Sequence, residues 1–353
     1  MDFKKALEDL ITIIVNENGS DLHLSEGRHP MIRVDGFLIP LLKKTVLTRE
    51  HMMGIMDVLV SKEQKETFLR DQEIDFSYGV KGVARFRGNG FIQQTRIAFA
   101  LRLIPLKIRT IEELALPPIL KDFTKRKQGF FLCVGPVGHG KTTTLAAMVD
   151  MINHERTEHI ITIEDPIEYV YTPDKSIIDQ REVRIDTSSF HAALRSTFRQ
   201  DVDVILIGEM RGIETISTAV TAAETGHLVF STLHTNDASQ TIDRIIDSFP
   251  AAQQGQIRLQ LAGSLMGIFS QRLLPRISGG LVPAYELLIN NVAVANLIRE
   301  SRTHEIPTIV ETSSQLGMVD FNRSLIALIQ AGDITVEDAY LHSSNPQLLE
   351  KLL

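Results

Sequence analysis

The chain has 353 residues, of which 43% are hydrophobic and 23% are charged, and its formal net charge is -7. This is the composition of an ordinary globular protein, long enough for two domains of about 100–200 residues each. The chain is acidic and has no polybasic tract. This argues against the class of proteins that hold nucleic acid through a broad phosphate-neutralising surface.

The cysteine content and the N-terminus bear on the compartment. The only cysteine, Cys133, lies within the apolar run 130–134, so we expect a buried strand residue rather than a disulfide or a multi-cysteine zinc site. Residues 1–19 mix acids with apolar residues and have no small-residue cleavage site, which predicts an amphipathic helix rather than a signal peptide. No run of about 18 apolar residues occurs, so we expect a cytoplasmic protein whose membrane contact goes through a partner.

Residues 1–104 are predicted to form a small α+β domain. It begins with the amphipathic helix, and short alternating segments after it are typical of strands, with Asp35-Gly36 as a turn. A further helix is predicted over Arg49–Leu69. The predicted strands cover 21–24, 31–34, 74–78 and 84–87.

Prolines mark the next boundary, and the pattern then changes. Pro105 and Pro117-Pro118 punctuate residues 105–120, which we interpret as a linker. Residues 121–250 alternate apolar strands with helical stretches, which predicts a doubly wound parallel sheet. A helix is predicted from Ile257 to Leu274, and residues 251–353 are expected to be a terminal helical part. The predicted strands of the sheet cover 130–134, 159–163, 204–207 and 228–232.

A phosphate-binding motif follows the first of these strands. The sequence Gly-Pro-Val-Gly-His-Gly-Lys-Thr satisfies G-x-x-x-x-G-K-[ST], and a helical segment follows directly. Glycines there let backbone N–H groups surround phosphate oxygens. We expect the Lys141 ammonium to contact the β- and γ-phosphates of ATP and the Thr142 hydroxyl to bind Mg²⁺. The predicted nucleotide-binding residues of this loop are Gly135, Pro136, Val137, Gly138, His139, Gly140, Lys141, Thr142 and Thr143.

Carboxylates stand at the ends of two predicted parallel strands. Glu164 and Asp165 follow residues 160–163, and Glu209 follows residues 204–207, the position of a Walker B acid. Phosphoryl transfer to water needs a metal ligand and a group that orients the water, on the sheet edge that carries the phosphate loop. A solvated strand-end acid is the alternative interpretation of each.

Histidines and arginines supply further candidates. His227 and His234 flank opposite ends of the strand predicted at 228–232, so we do not expect them to share a metal ion. The functional interpretation makes His234 a sensor of the γ-phosphate and counts His227 among the nucleotide-binding residues; a core or strand-end histidine is the alternative for both. Arg85 and Arg87 fall on one face of a strand, where an exposed charge is the ordinary explanation.

Together these residues resemble the secretion-type ATPases, and within them the retraction motors of the type IV pilus. Residues 20–24 and 31–36 look like the family's N-terminal PAS-like domain. The other similar segments are 163–168 with 180–183 (the Asp box), 194–211 (the Walker B region), 223–236 (the His box) and 293–300, which is close to a segment typical of retraction motors.

The resemblance implies a RecA-like P-loop ATPase domain behind the PAS-like domain, in a homo-hexamer that hydrolyses ATP with Mg²⁺. Glu164 would orient or activate the water, and Glu209 would hold Mg²⁺. Arg87 and Arg102 would act on the nucleotide of the neighbouring subunit. It further implies a motor that retracts pili through an inner-membrane platform protein, peripheral to the cytoplasmic face of that membrane, with no nucleic-acid partner.

Several positions depart from the family's pattern. Gly88 and Gly90 stand where apolar residues are usual and are expected to loosen their strand. The other departures are Val137, His139, Arg184 (for glycine), Val202 (for proline) and Gly212 (for aspartate).

Three other functions remain open. Pilus-extension and type II secretion ATPases usually carry a four-cysteine zinc module, whereas no cysteine follows Cys133 here. A RecA-like nucleic-acid translocase is disfavoured by the acidic charge and the absence of tryptophan. A nucleotide-dependent scaffold without turnover is disfavoured by the presence of Lys141, Glu164 and Glu209.

Overall fold

The computed structural model describes residues 2–34, 36–80, 82–104, 107–210 and 212–353. Asp35 of the predicted turn, Pro105 of the predicted linker and Arg211 of the Walker B match lie outside the described residues. The described chain divides into two compact units. The first comprises the described part of Met1–Lys107 with Pro166–Val170, and the second comprises Ile108–Asp165 with Tyr171–Leu353.

An antiparallel sheet forms the centre of the first unit. Its strands, within the described residues, are β1 (Asp21–Ser25), β2 (Met31–Val34), β3 (Phe37–Pro40), β4 (Glu73–Val80), β5 (Ala84–Gln93) and β6 (Arg96–Ile104). Their order is β3-β2-β1-β6-β5-β4. Both predicted strand pairs are present, but the sequence analysis missed β3 and β6. Residues 97–99 of β6 are buried in succession, so the strand has no alternating pattern there.

Three helices of the first unit are α1 (Phe3–Asn16), α2 (Arg49–Leu59) and α3 (Lys62–Asp71). The prediction of one helix over Arg49–Leu69 is wrong. The Ser61 hydroxyl accepts the Gln64 N–H while the Gln64 side chain accepts the Ser61 N–H, which starts a new helix with a capping box. The S-x-x-Q pattern at 61–64 was the signal for this break.

The two glycines of β5 make room for aromatic rings. A Cβ atom on Gly88 would lie closer than 3.0 Å to the Phe76 ring, and one on Gly90 would lie 2.9 Å from the Phe99 ring. Phe76 and Phe99 pack edge to face, with ring centroids 6.1 Å apart. β5 runs through both glycines and the rings fill the space beside them, while the expectation that these glycines loosen the strand stays a prediction.

The second unit is built on a mostly parallel sheet. Its strands, within the described residues, are β7 (Gly129–Val134), β8 (His159–Glu164), β9 (Ile177–Glu182), β10 (Val204–Ile207), β11 (Leu228–Leu233), β12 (Leu265–Pro275) and β13 (Leu281–Ile289). The order is β13-β12-β7-β11-β10-β8-β9, parallel except for the antiparallel edge strand β13. The predicted α/β class is confirmed. Cys133 is a buried residue of β7, and burial raises the pKa of its thiol to about 12.

Helices cover both faces of this sheet and its end. Within the described residues they are α4 (Leu120–Thr124), α5 (Lys141–Glu155), α6 (Phe190–Thr197), α7 (Ile213–Glu224), α8 (Ala238–Asp247), α9 (Ala251–Ser264), α10 (Val292–Arg299), α11 (Ile306–Thr312), α12 (Phe321–Gln330), α13 (Val336–His342) and α14 (Pro346–Leu352). Across the described part of the chain, every helix is too short or too polar to cross a membrane.

The strand pair β12–β13 corrects the sequence analysis. The predicted helix over Ile257–Leu274 is wrong, because α9 ends at Ser264 and an eleven-residue strand follows. The expectation that residues 251–353 are helical throughout is wrong for the same reason. Residues 267–271 are buried in succession, so the run lacks a period of two and cannot be told from a buried helix by pattern. Because β12 pairs with β7, it forms a wall beside the phosphate loop.

Candidate active site

Parallel register brings four functional segments to one edge of the second unit's sheet. Leu233 of β11 pairs with Val134 of β7, and Ile207 of β10 pairs with Ile163 of β8. Since the carboxyl ends of parallel strands share one edge, the segments after them lie together. The segments at this edge carry the phosphate loop (135–142), His234, Glu209 and Glu164.

The phosphate loop folds around the side chain of Lys141. This lysine is buried, begins α5, and its Nζ donates to the carbonyl oxygens of Gly135 and Pro136, each at 2.8 Å. Gly138 and Gly140 have φ of 81° and 78°, which a residue with a side chain rarely adopts. The loop therefore places backbone N–H groups and the N-terminus of α5 around one positive charge, the arrangement that binds phosphate.

A chain of polar contacts leads from Lys141 to the predicted Walker B acid. His234 Nδ1 lies 3.3 Å from Lys141 Nζ, and His234 Nε2 lies 3.8 Å from a carboxylate oxygen of Glu209. The histidine side chain is half exposed, and that of Glu209 is mostly covered. The structure thus brings three of the predicted residues together. Glu209, His234 and residues 235–236 also line a cleft of about 550 Å³ between these strand ends, α7 and α8.

Glu164 is the last residue of β8, and its side chain is only 4% exposed. Its Oε1 accepts hydrogen bonds from the Thr162 hydroxyl at 2.7 Å and from the Gln180 amide at 3.3 Å. A Cβ atom on Gly208 would lie 3.5 Å from the Glu164 Cα, so this acid adjoins the segment of Glu209. Two donors fix one carboxylate oxygen, which makes Glu164 an oriented group rather than a solvated strand-end acid.

Gln271 of β12 joins the phosphate loop to the neighbouring strand, and the sequence analysis missed it. Its Nε2 donates to the His139 carbonyl oxygen at 2.9 Å, and its Oε1 accepts the Thr144 hydroxyl at 2.6 Å. The Leu273 N–H donates to His139 Nδ1 at 2.9 Å. Burial, with the charges of Lys141 and Arg272, lowers the pKa of His139, which keeps that nitrogen free to accept. A polar Ser-Gln pair inside an apolar run was the available signal.

His227 lies at the opposite edge of the sheet from the phosphate loop. Its carbonyl oxygen accepts the N–H of Gly129, the first residue of β7, whereas the loop follows the last residue of that strand. Its ring contacts the Ala222 carbonyl oxygen at 3.1 Å and packs edge to face on Phe198. Within its own chain His227 therefore lies away from the phosphate loop, as a strand-end histidine with backbone and aromatic partners, and its place among the nucleotide-binding residues stays a prediction.

The two candidate arginines belong to the first unit and lie side by side. Arg87 of β5 is directly opposite Arg102 of β6, and both side chains are exposed. Arg102 Nε donates to Asp21 at 3.0 Å, and Arg87 Nη1 lies 3.6 Å from Glu168. Burial alone would raise the pKa of Asp21, but hydrogen bonds from Ser20 and Arg102 outweigh it and lower that pKa. Action on a neighbour's nucleotide stays a prediction for both.

The residues near the phosphate loop fit a magnesium ion. Mg²⁺ prefers oxygen ligands and is usually held by one or two protein groups together with substrate phosphates. Thr142 lies in the first turn of α5, directly after the lysine, and Glu209 is connected to the loop through His234. Among the described residues no cluster of three or more His, Cys, Asp or Glu side chains could hold a metal ion alone. The Thr142 hydroxyl and the Glu209 carboxylate are oxygen donors of the kind that fits an ion held mainly by phosphate.

Comparison with known proteins decides the family. The family model described as type II/IV secretion system protein matches residues 3–294. The chain belongs to this family. It is 44% identical to the type IV pilus retraction ATPase PilT of Pseudomonas aeruginosa over 97% of this chain and 99% of that protein. It is 40% identical to the type IV pilus ATPase PilU of the same organism, over 100% of this chain and 91% of that protein.

A solved structure agrees with these relatives. The crystal structure of the pilus retraction motor PilT with bound ADP superposes with a TM-score of 0.91 at 46% identity, covering 97% of this chain and 98% of that one. The resemblance to secretion-type ATPases inferred from the sequence is thereby confirmed, and so is its fold class, an α/β protein with an N-terminal domain and an ATPase domain.

Proposed function

We propose that this chain is the subunit of an ATP-hydrolysing motor that powers retraction of type IV pili. The observation that carries this proposal is the meeting of Lys141, His234, Glu209 and Glu164 on one sheet edge. The sequence of this chain is 46% identical to that of a retraction motor whose structure contains ADP. We place the motor on the cytoplasmic face of the inner membrane, as a homo-hexamer bound to a membrane platform protein and without a nucleic-acid partner.

We assign each residue of this edge a role that its contacts support. The Lys141 ammonium exchanges its carbonyl partners for the β- and γ-phosphates, and the loop N–H groups hold the remaining phosphate oxygens. The oriented carboxylate of Glu164 holds the attacking water in line with the γ-phosphate. His234, against the lysine, is placed to sense whether the γ-phosphate is present.

Magnesium supplies neutralising charge on the transferred phosphate when it is bound. The Thr142 hydroxyl and the Glu209 carboxylate are the groups that would hold it, because both are hard oxygen donors beside the phosphate loop.

The transition state gathers negative charge that an additional arginine can stabilise. Arg87 and Arg102 form an adjacent, exposed pair whose acidic partners belong to the same unit. We assign them to the nucleotide of the neighbouring subunit in the ring. There they would exchange Glu168 and Asp21 for phosphate oxygens.

The test combines a phosphate-release assay with complementation of a deletion strain. Lys141→Ala is expected to abolish ATP hydrolysis while retaining the fold. The exposed Lys127→Ala, in the same unit, is the matched control and should leave the rate unchanged. In the host, deletion should leave excess pili and no surface motility, restored by the wild type and the control but not by Lys141→Ala. Hydrolysis by Lys141→Ala at the wild-type rate would overturn the site.

The same strain separates the motor classes. Loss of pili on deletion would identify a pilus-extension motor instead. Excess pili with normal motility would indicate an accessory paralogue rather than the main retraction motor.

A further inference from the structure

The β12–β13 pair contacts two different loops of the ATPase edge through polar side chains, of which Ser270 and Gln271 are buried and Glu286 is partly buried. Gln271 binds the phosphate loop, as described above. One residue earlier, Ser270 lies opposite Glu286 of β13. The Ser270 hydroxyl donates to the Asn236 carbonyl oxygen at 2.6 Å, and Glu286 Oε1 accepts the Ala238 N–H at 2.8 Å. The segment held in this way begins two residues after His234.

The contact made by Glu286 is more than a helix cap. Asp237 is the N-cap of α8, and its side chain already accepts the Gln240 N–H at 2.8 Å. The helix therefore has its ordinary capping residue, and Glu286 reaches the same turn from a separate strand. The first turn of a helix leaves four N–H groups without a partner inside the helix, and Glu286 accepts one of them from a separate strand, so it both caps α8 and ties its first turn to β13.

We propose that Glu286 is a positioning residue of the ATPase site, which ties residues 236–238 to the β12–β13 pair so that His234 stays against Lys141. This inference rests on the proposed ATPase function. Gln271 fixes the phosphate loop and Glu286 fixes the His234 segment, so the strand pair sets the distance between lysine and histidine. Loss of the Glu286 contact releases the segment that carries His234, whereas the phosphate loop stays bound to Gln271.

The charge state of Glu286 changes within the working pH range. Burial raises the pKa of its carboxyl to about 7, and the Ala238 N–H opposes that rise. Asp237 and Asp320 add to the rise, while Arg272 on β12 opposes it. A carboxylate is a stronger acceptor than a carboxylic acid or an amide, and the N-terminus of α8 favours its negative charge. The contact therefore weakens as pH falls from 8 to 6.

The test compares wild type and Glu286→Gln in steady-state ATP hydrolysis from pH 6 to pH 9, with the exposed Glu337→Gln as control. At pH 8 we expect kcat of Glu286→Gln to fall by about tenfold, because a loosened neighbour of the site misplaces reacting groups. ADP affinity should change by less than about threefold, since the Gln271 contact remains. The wild-type fall in kcat between pH 8 and pH 6 should disappear in this variant. Glu286→Asp, which keeps the charge, should retain that pH dependence.

Stability distinguishes positioning from a merely structural role. The folded-state pKa of Glu286 is raised above its unfolded value, so the folded chain binds more protons and stability is lost as pH rises from about 4.5 to about 7. Glu286→Gln removes this loss and should melt at or above the wild-type temperature at pH 8 while its kcat is lower. A lower melting temperature together with equal losses of kcat and ADP affinity would overturn the proposal.

The kinetic outcome is separable from failure of the proposed function. If wild type hydrolyses ATP, Lys141→Ala does not, and Glu286→Gln keeps the wild-type kcat and pH profile, the positioning role is wrong and the ATPase assignment stands. Ser270→Ala removes the second contact to the same segment and should lower kcat without altering the pH profile. A wild-type kcat in this variant as well would exclude any role of the strand pair in holding the His234 segment.

Discussion

Replacing Gly135 by alanine should destabilise the ligand-free protein more than the same change at Gly138, which lies in the same phosphate loop. Both glycines have positive φ, 141° and 81°. A Cβ atom on Gly135 would lie closer than 3.0 Å to the backbone carbonyl oxygen of Gln271, whereas no atom lies within 4 Å of one on Gly138. That carbonyl belongs to β12, which pairs with a strand on each side and cannot move away alone.

The structure gives the size of the difference. Positive φ costs a residue with a side chain about 1–2 kcal/mol, which applies to both variants. Overpacking against a fixed backbone adds about 1–3 kcal/mol at Gly135 only, giving about 2–5 kcal/mol there. For a unit of this size, this corresponds to melting temperatures lower by about 4–20 °C for Gly135→Ala and about 2–8 °C for Gly138→Ala.

Calorimetry of both variants without nucleotide is the assay, because it excludes any effect of the new methyl groups on phosphate binding. Gly135→Ala should be the less stable of the two. Equal melting temperatures, or the reverse order, would refute the argument that β12 is a rigid wall of the phosphate loop.

Two further predictions concern arginines. Arg184 has φ of 72°, which strains a residue with a side chain, and its ion pair with Asp165 at 3.1 Å is on the surface. Arg184→Gly relieves the strain and should raise the free energy of unfolding, measured in urea, by up to about 1 kcal/mol. A lower free energy of unfolding would show that the ion pair outweighs the strain. Arg87→Ala and Lys141→Ala subunits should each be nearly inactive alone and regain part of the ATPase rate when co-expressed in one ring. Mixed rings, verified by mass, that stay as inactive as their parents would exclude a shared site.

The residues that the sequence placed correctly belong to local patterns. The phosphate loop is a continuous motif, and Glu164 and Glu209 follow apolar segments whose shared direction brings them to the loop. Such features depend on a few neighbouring residues, so one sequence is enough to locate them.

The missed residues depend on contacts between distant parts of the chain. Gln271 meets Thr144 across 127 positions, and Glu286 meets Ala238 across 48. Both lie on strands whose buried pattern resembles a helix, so their place beside the loop depends on strand order, which periodicity does not reveal. The sequence did place a strand between His227 and His234, and that strand puts His227 at the edge of the sheet away from the phosphate loop.

The most direct test of the hydrolytic mechanism is ATP binding and phosphate release measured on the same sample of Glu164→Gln. The substitution keeps the shape of a buried side chain and leaves Lys141 and the phosphate loop unchanged. We expect ATP affinity close to that of the wild type and a phosphate-release rate lower by on the order of 100-fold, because only the group that orients water is lost. A wild-type release rate, or an equal loss of affinity and rate, would contradict the assignment of Glu164 and the mechanism built on it.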